Sequence, residues 1–262
     1  IFNRSLGADE ILALYNSTAY THDFTGDLVS NTNYTYKAYT QDVAGNVNVT
    51  ELREVYFDAT APTIDFVSLT PPNATYVNNV PINLITSSNL NHSVFVDWDN
   101  SLVGWWRMDD YDATEVFDYT GVNNGTITGA SYTSAGKLGG AMSFDGVDDY
   151  IDITSISVDF TKSYSFNVWV KTNDKTKNQL IIGDSNPIFE FGIYGGNIFS
   201  AVGASSTLNG GVWDCNNDEW CLISYVLNGT HAKYYIDSEL KHTLDYTGQT
   251  GTAKNYIGVR SD

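Results

Sequence analysis

Tyr164-Ser-Phe-Asn-Val-Trp-Val170 alternates large apolar side chains with small or polar ones, residue by residue. A period of two puts one set on a buried face and the other toward solvent, which is the mark of a half-buried β-strand. Working outward, Asn33–Gln41, His92–Trp98 and Lys233–Asp237 read the same way. Turn clusters separate such runs: Ala44-Gly-Asn46, Asn123-Asn-Gly125, Asp145-Gly146, Asn209-Gly-Gly211 and Asn228-Gly229. Short alternating strands with turns at close intervals predict an all-β chain, a sandwich or jelly roll. One segment departs from the pattern. Gly7–Asn16 is rich in helix formers, has Gly7 and Glu10 at N-cap and N3 spacing, and lines up Ile11, Leu14 and Tyr15 on one face, so a single short helix is expected there.

The chain has 262 residues, with 31 acids against 13 bases and a formal net charge of −18. Nucleic-acid partners are excluded on that balance, because phosphate binding runs on clustered Lys and Arg. Charged residues make up only 17% while apolar residues make up 42%, so the composition is that of a folded protein. No run approaches the ~18 apolar residues of a membrane span. Ile1 stands where a start methionine would, which suggests a processed or excised piece.

Eight N-x-[ST] sequons, at Asn3, Asn16, Asn33, Asn48, Asn73, Asn91, Asn124 and Asn228, point to an exported, glycosylated surface protein. Cys215 and Cys221 lie six apart in a polar loop between Trp213 and Trp220, with no second pair for a zinc site. A disulfide pinning a short loop is the simplest reading, and it agrees with an extracellular location.

The long C-terminal part resembles the laminin-G-like, concanavalin A-like jelly roll. The resemblance is carried by Leu102–Asp110, by Gly136-Lys-Leu-Gly-Gly-Ala-Met-Ser-Phe-Asp-Gly-Val-Asp-Asp-Tyr-Ile151, and then by Ser165–Lys171, Trp220–Val226, Lys233–Asp237 and Tyr256–Arg260. That family closes its sandwich with a further strand and a short helix, and the head of this chain, Ile1–Asn16, looks like those closing elements. The middle resembles a fibronectin- or immunoglobulin-like surface domain in permuted order: residues 19–60, with the turn Asp42-Val-Ala-Gly-Asn46, look like its last strands, and residues 61–98 like its first. Residues 99–262 would then be a jelly roll lacking its final strand.

Four residues between Asp58 and Thr63 reach about 14 Å when extended, short of the ~30 Å between the poles of such a sandwich. The halves are therefore expected to belong to consecutive sandwiches, each completed by another copy, head to tail. Phe2, Leu6, Ile11, Leu14 and Tyr15 are the expected donated residues. This favours a structural repeat or subunit of a surface filament or adhesin. The alternative is a carbohydrate-binding adhesin module, and a glycan-processing enzyme comes third.

Three kinds of site are weighed. Glycoside hydrolysis needs two carboxylates flanking the sugar bond, and no Glu-x-Asp-x-x-Glu string occurs, so no catalytic residue is assigned. Structural Ca²⁺ has candidates in Asp109, Asp110 and Asp118 and in Asp145, Asp148 and Asp149, against the plainer reading of turn-capping aspartates. Trp213, in a Gly-rich approach to Cys215, is the candidate for stacking on a surface glycan, whereas Trp105, Trp106, Trp169 and Trp220 fall where the resemblance implies a core.

Overall fold

The computed structural model describes residues 28–159, 162–184, 189–202, 207–245 and 252–258. The expected closing strand and helix, with Phe2, Leu6, Ile11, Leu14 and Tyr15, lie outside the described residues, as do Asn3 and Asn16. The chain divides into two units, one up to Phe95 and one from Val96.

The first unit holds β1 (Thr32–Tyr36), β2 (Tyr39–Gln41), β3 (Val47–Val49), β4 (Arg53–Phe57), β5 (Thr63–Phe66) and β6 (Leu84–Ser87). They pair as three two-stranded sheets, β1–β4, β2–β3 and β5–β6. The Asp42–Asn46 string makes the turn between β2 and β3. Asp42 accepts hydrogen bonds from the amides of Ala44 and Asn46 and from the Asn46 side chain, at 2.7–2.9 Å. The Asn46 side chain, then its backbone amide, holds the Asp42 carboxyl below the usual aspartate range. The stretch His92–Trp98, read as a strand from its alternation, joins no ladder among the described residues. Alternation marks a chain able to bury one face, but a strand also needs a partner edge. The His92 ring reaches back to β6, at 2.9 Å from the Thr86 hydroxyl. No described residue up to Phe95 is buried, so the described part of this unit holds no core.

The second unit is a sandwich. Its elements are β7 (Trp106–Tyr111), β8 (Glu115–Asp118), β9 (Gly125–Thr128), β10 (Ser131–Thr133), β11 (Ala141–Ser143), β12 (Tyr150–Asp159) and β13 (Tyr164–Val170). They continue with β14 (Gln179–Asp184), β15 (Phe189–Tyr194), β16 (Asn197–Val202), β17 (Thr207–Val212), β18 (Cys221–Leu227), β19 (His231–Ile236), β20 (Glu239–Asp245) and β21 (Thr252–Ile257). One sheet has nine strands in the order β17-β16-β15-β14-β21-β12-β9-β8-β7, and the facing sheet has four, β13-β18-β19-β20. The last described strand thus sits in the middle of the large sheet.

Period-two burial sets the core. Phe189, Phe191 and Ile193 of β15 face Ile223, Tyr225 and Leu227 of β18 and Tyr234 of β19 in one cluster. Tyr225 lies at its centre, in ring contact with Tyr164, Phe166, Phe189, Phe191 and Tyr234. One polar bond crosses between the sheets: the buried Ser200 and Tyr234 hydroxyls are 2.7 Å apart. Burial pushes the Tyr234 phenol well above the usual tyrosine range, against the pull of that bond. Among the described residues the only helical element is a single 3₁₀ turn at Trp98–Asn100, and no helix is long and apolar enough to cross a membrane.

Candidate functional site

Cys215 and Cys221 are disulfide-bonded, as their spacing suggested, with Cα atoms 6.3 Å apart. The bridge is buried and ties its loop to a neighbouring one. Lys175 donates its Nζ to the Cys215 carbonyl at 3.1 Å, and Asp218 N–H bonds the Thr172 carbonyl at 2.8 Å. Trp213, expected to offer its ring to a sugar, is only 2% exposed and belongs to the core. The glycine-rich run that reads as an open loop is in fact the end of β17, and it turns the indole inward. The tryptophans expected inside divide differently. Trp106 packs against the core, but Trp105 and Trp169 are more than a third exposed. Lys137 Nζ lies 4.7 Å from the Trp169 ring and Lys171 Nζ 5.3 Å from that of Trp220.

The six aspartates proposed for a cation do not act together. Asp118 is almost fully buried and already saturated. Its Oδ1 accepts from the amides of Trp105 (2.8 Å) and Thr120 (3.0 Å), and its Oδ2 from the Asn123 amide (3.1 Å) and the Thr120 hydroxyl. Burial alone would raise its pKa; the Thr120 hydroxyl and the three amides overcome that and hold the carboxyl below the usual aspartate range. Asp118 therefore organises a loop, and the reading of it as a cation ligand is corrected. Asp109 and Asp110 flank Arg107, at 3.7 and 3.1 Å. Asp145, Asp148 and Asp149 do converge, with one oxygen from each within 4.8 Å of the others. Even there, Asp145 Oδ1 accepts from Val147 N–H and Asp149 Oδ2 from Asp145 N–H, both at 2.8 Å, so turn capping takes part of their capacity. The remaining hard oxygens are of the type that holds Ca²⁺.

Of the sequons inside the described residues, Asn33, Asn48, Asn73, Asn91, Asn124 and Asn228 are all exposed. Asn124 has its amide engaged on both sides: its Nδ2 donates to Glu115 and its Oδ1 accepts from Asp118 N–H, each at 3.1 Å.

A surface not foreseen from sequence runs across the solvent face of the large sheet. Strand register places Glu190 opposite Gly183, Gly183 opposite Tyr256, Tyr256 opposite Asp152, Asp152 opposite Thr126, and Thr126 opposite Glu115. Residues paired in this way share a face. Their neighbours along the strands, Ile151, Ile153, Phe189 and Phe191, are buried, so the row points to solvent. Beside it stand Tyr194, 60% exposed and edge-on to Phe199 with ring centroids 5.8 Å apart, and Tyr150, edge-on to Tyr256 at 5.4 Å. Gly183 contributes no side chain between Glu190 and Tyr256. The Leu180 side chain fills that place, with a methyl 2.6 Å from where a Cβ would stand, and covers Gly183. Each strand step is about 4.8 Å, which puts Glu190 and Asp152 about 14 Å apart along the row. The face thus combines flat rings, carboxylate acceptors and a threonine hydroxyl over a shallow floor. Single-sequence reading could not assemble it, because its members come from six strands and only register brings them into line.

No curated protein matches the sequence. Among solved structures, domain 4 of an extracellular GH43 arabinanase from Geobacillus stearothermophilus, in complex with arabinotriose, is similar at 21% identity and a TM-score of 0.44, over 54% of this chain and 76% of that one. A Trypanosoma rangeli sialidase is similar at 12% identity and a TM-score of 0.47, with 62% of this chain covering only 28% of the sialidase. The carbohydrate binding module CBM66 from Bacillus subtilis is similar at 13% identity and a TM-score of 0.34, over 52% of this chain and 87% of the module. Residues 145–262 match the family model of the concanavalin A-like lectin/glucanases superfamily, and the all-β sandwich they help to build is consistent with its jelly-roll fold.

Proposed function

We propose that the sandwich from Val96 onward is a carbohydrate-binding module of an extracellular surface protein, and that the solvent face of the large sheet is its reading surface. The observation that carries this is the row Glu190–Gly183–Tyr256–Asp152–Thr126 with Tyr194 and Tyr150 beside it. Sugar rings stack their C–H faces on aromatic side chains and donate hydroxyls to carboxylates, and this face offers both. The superfamily match over residues 145–262 supports the reading. The row's carboxylates are about 14 Å (Glu190 to Asp152) and about 10 Å (Asp152 to Glu115) apart along the strand steps, at or beyond the ~5–9.5 Å of hydrolytic pairs, so binding fits this face better than cleavage. The row carries three carboxylates, Glu190, Asp152 and Glu115, which favours a neutral glycan over a sialylated one. The disulfide and the exposed sequons suit that location. A Ca²⁺ ion on Asp145, Asp148 and Asp149 belongs to this reading as a structural element, tested by a fall in melting temperature on chelation.

Probing the full chain against an array of neutral and sialylated glycans tests the proposal. Neutral hits are expected, with Tyr194→Ala and Glu190→Gln each weakening the best hit at least ~tenfold in calorimetry. An array without hits, or variants that bind like the parent, would reject it.

A second reading, that the chain is a repeat or subunit of a surface assembly, is favoured by a separate observation: the unit up to Phe95 buries none of its described residues.

A further inference from the structure

The sequon Asn124-Gly-Thr126 is built into the end of the solvent-facing row. Gly125 pairs with Val116, and a Cβ on it would run into the side chains of Ile151, Val116 and Ile153, so this position faces the core. Its neighbours on either side therefore face solvent. Thr126, which supplies the sequon's hydroxyl, is itself a member of the row, between Asp152 and Glu115. Asn124 is exposed, and its amide lies across β8. Its Oδ1 accepts from Asp118 N–H and its Nδ2 donates to Glu115, each at 3.1 Å. The nitrogen, where a glycan attaches, thus points to the row and the oxygen points away from it. Among the described sequons this is the one whose amide is bonded to a row residue. Asn228, the other in this unit, caps the β18–β19 turn by accepting from the amides of Thr230 and His231, on the facing sheet.

We propose that Asn124 is N-glycosylated and that the attached glycan folds back on the row, occupying in cis the surface that otherwise reads a free one. This rests on the carbohydrate-binding reading above, and it names a ligand and a control for that same face. In the transfer, Nδ2 bonds to the anomeric carbon of a phosphate-activated, lipid-linked sugar. The phosphate leaves with the electrons of the broken C–O bond, and Nδ2 gives up one proton. One N–H and the amide oxygen remain, so the bonds to Glu115 and from Asp118 N–H both survive the modification. Together they fix the amide plane and hold the first sugar beside Glu115 and Thr126.

From Thr126 the row reaches Asp152 in one strand step and Tyr256 in two, about 10 Å, a span that a short glycan covers. The carboxylate and the ring that would read a free neutral sugar are then in reach of the attached one. Timing permits the transfer. β9 becomes an inner strand only when β12 pairs with it, so the sequon is open on that side as the chain emerges. The effect on an added ligand follows from tethering. A glycan held on a short link acts at an effective concentration on the order of 1 mM. On a face with a Kd of about 0.1 mM it leaves about one site in ten free, so an added glycan binds about tenfold more weakly.

The full chain, made in a host that attaches neutral, mannose-rich N-glycans and in one that attaches none, tests this. Site-resolved mass spectrometry of the first preparation should find a glycan on Asn124. The probe for calorimetry is the mannose-rich oligosaccharide released from that preparation. The unglycosylated chain should bind it, and the glycosylated chain should bind it at least ~tenfold more weakly. Trimming the glycosylated chain with an endoglycosidase should restore binding. Asn124→Gln made in both hosts isolates this sequon: its two forms should bind alike, whatever the other sequons carry. Near-UV circular dichroism checks its folding, and the trimmed wild type carries the test if it fails to fold. An unmodified Asn124 would overturn the site. A modified Asn124 with undiminished binding, or a loss that persists in Asn124→Gln, would overturn the cis occupancy. So would an unglycosylated chain that ignores this probe yet binds other neutral glycans on an array. An unglycosylated chain that binds no glycan at all would reject the reading surface, and the cis occupancy with it.

Discussion

Replacing Asp118 by Asn changes almost no volume yet removes the charge that four donors share. At Oδ1 the amides of Trp105 and Thr120 keep an acceptor, but a neutral one, and each bond loses about 0.5–1 kcal/mol. At the other position an NH₂ now meets the Asn123 amide, donor to donor. The Thr120 hydroxyl can turn and accept, whereas the Asn123 N–H cannot, and a buried donor without an acceptor costs about 1–3 kcal/mol. Turning the new amide over is worse, since two backbone amides would then face it. The expected loss is about 3 kcal/mol, or a fall in melting temperature of about 6–12 °C for a unit of this size. Urea unfolding of both proteins as a function of pH is the assay. The folded carboxyl titrates below the unfolded value of about 3.9, so its contribution is complete above that pH and fades as pH falls through the lower folded value. The gap between the proteins should be constant from pH 7 to 5 and should narrow below about pH 4. A gap under about 0.5 kcal/mol at pH 7, or one that widens with acid, would refute the assignment of Asp118 as a saturated loop organiser.

Other outcomes follow from the same geometry. Cys215→Ser with Cys221→Ser should cost about 2 kcal/mol through a less constrained unfolded state, read as a lower urea midpoint, with proteolysis expected first in the loop that Lys175 anchors. Gly192→Ala places a Cβ 2.1 Å from the Gln179 carbonyl oxygen, a backbone atom that cannot swing aside, and should cost about 2–3 kcal/mol. Gly195→Ala meets open space and carries only the strain of φ +56°, about 1 kcal/mol, so calorimetry should rank the two in that order. Tyr234→Phe should cost about 1 kcal/mol by stranding Ser200. In the wild type, the unfolded chain's phenol ionises near 10 while the folded one does not, so stability should decline as pH climbs past about 10.

The alternation of Tyr164–Val170 and Lys233–Asp237 is local information, and it reads through directly into β13 and β19. The cysteine pair did so too, because six residues bring two thiols within bridging distance. Trp213 misled because glycines beside it suggest a loop, while its burial depends on the sheet across the core. His92–Trp98 has strand composition without a strand, since pairing is a property of two segments and composition of one. Asp118 looked like a ligand for an ion, yet its own loop supplies donors from Trp105, Thr120 and Asn123 that no motif announces. The solvent-facing row is the extreme case. Glu115 and Glu190 join one line only through five registers, each set by the packing of the face beneath.

The position of β21 has a consequence for how the protein is made. Before residues 252–257 leave the ribosome, β14 to β17 and β7 to β12 are two separate fragments of sheet, because β21 is the strand that pairs with both β14 and β12. Each fragment carries a raw inner edge until β21 is made. Ile151 must wait 106 residues for its partner Ile257, a separation that makes closure slow and leaves the nascent sandwich exposed to aggregation. Synthesis of β21 is therefore the folding switch, and a chaperone that shields sheet edges would act on this protein until that strand is made.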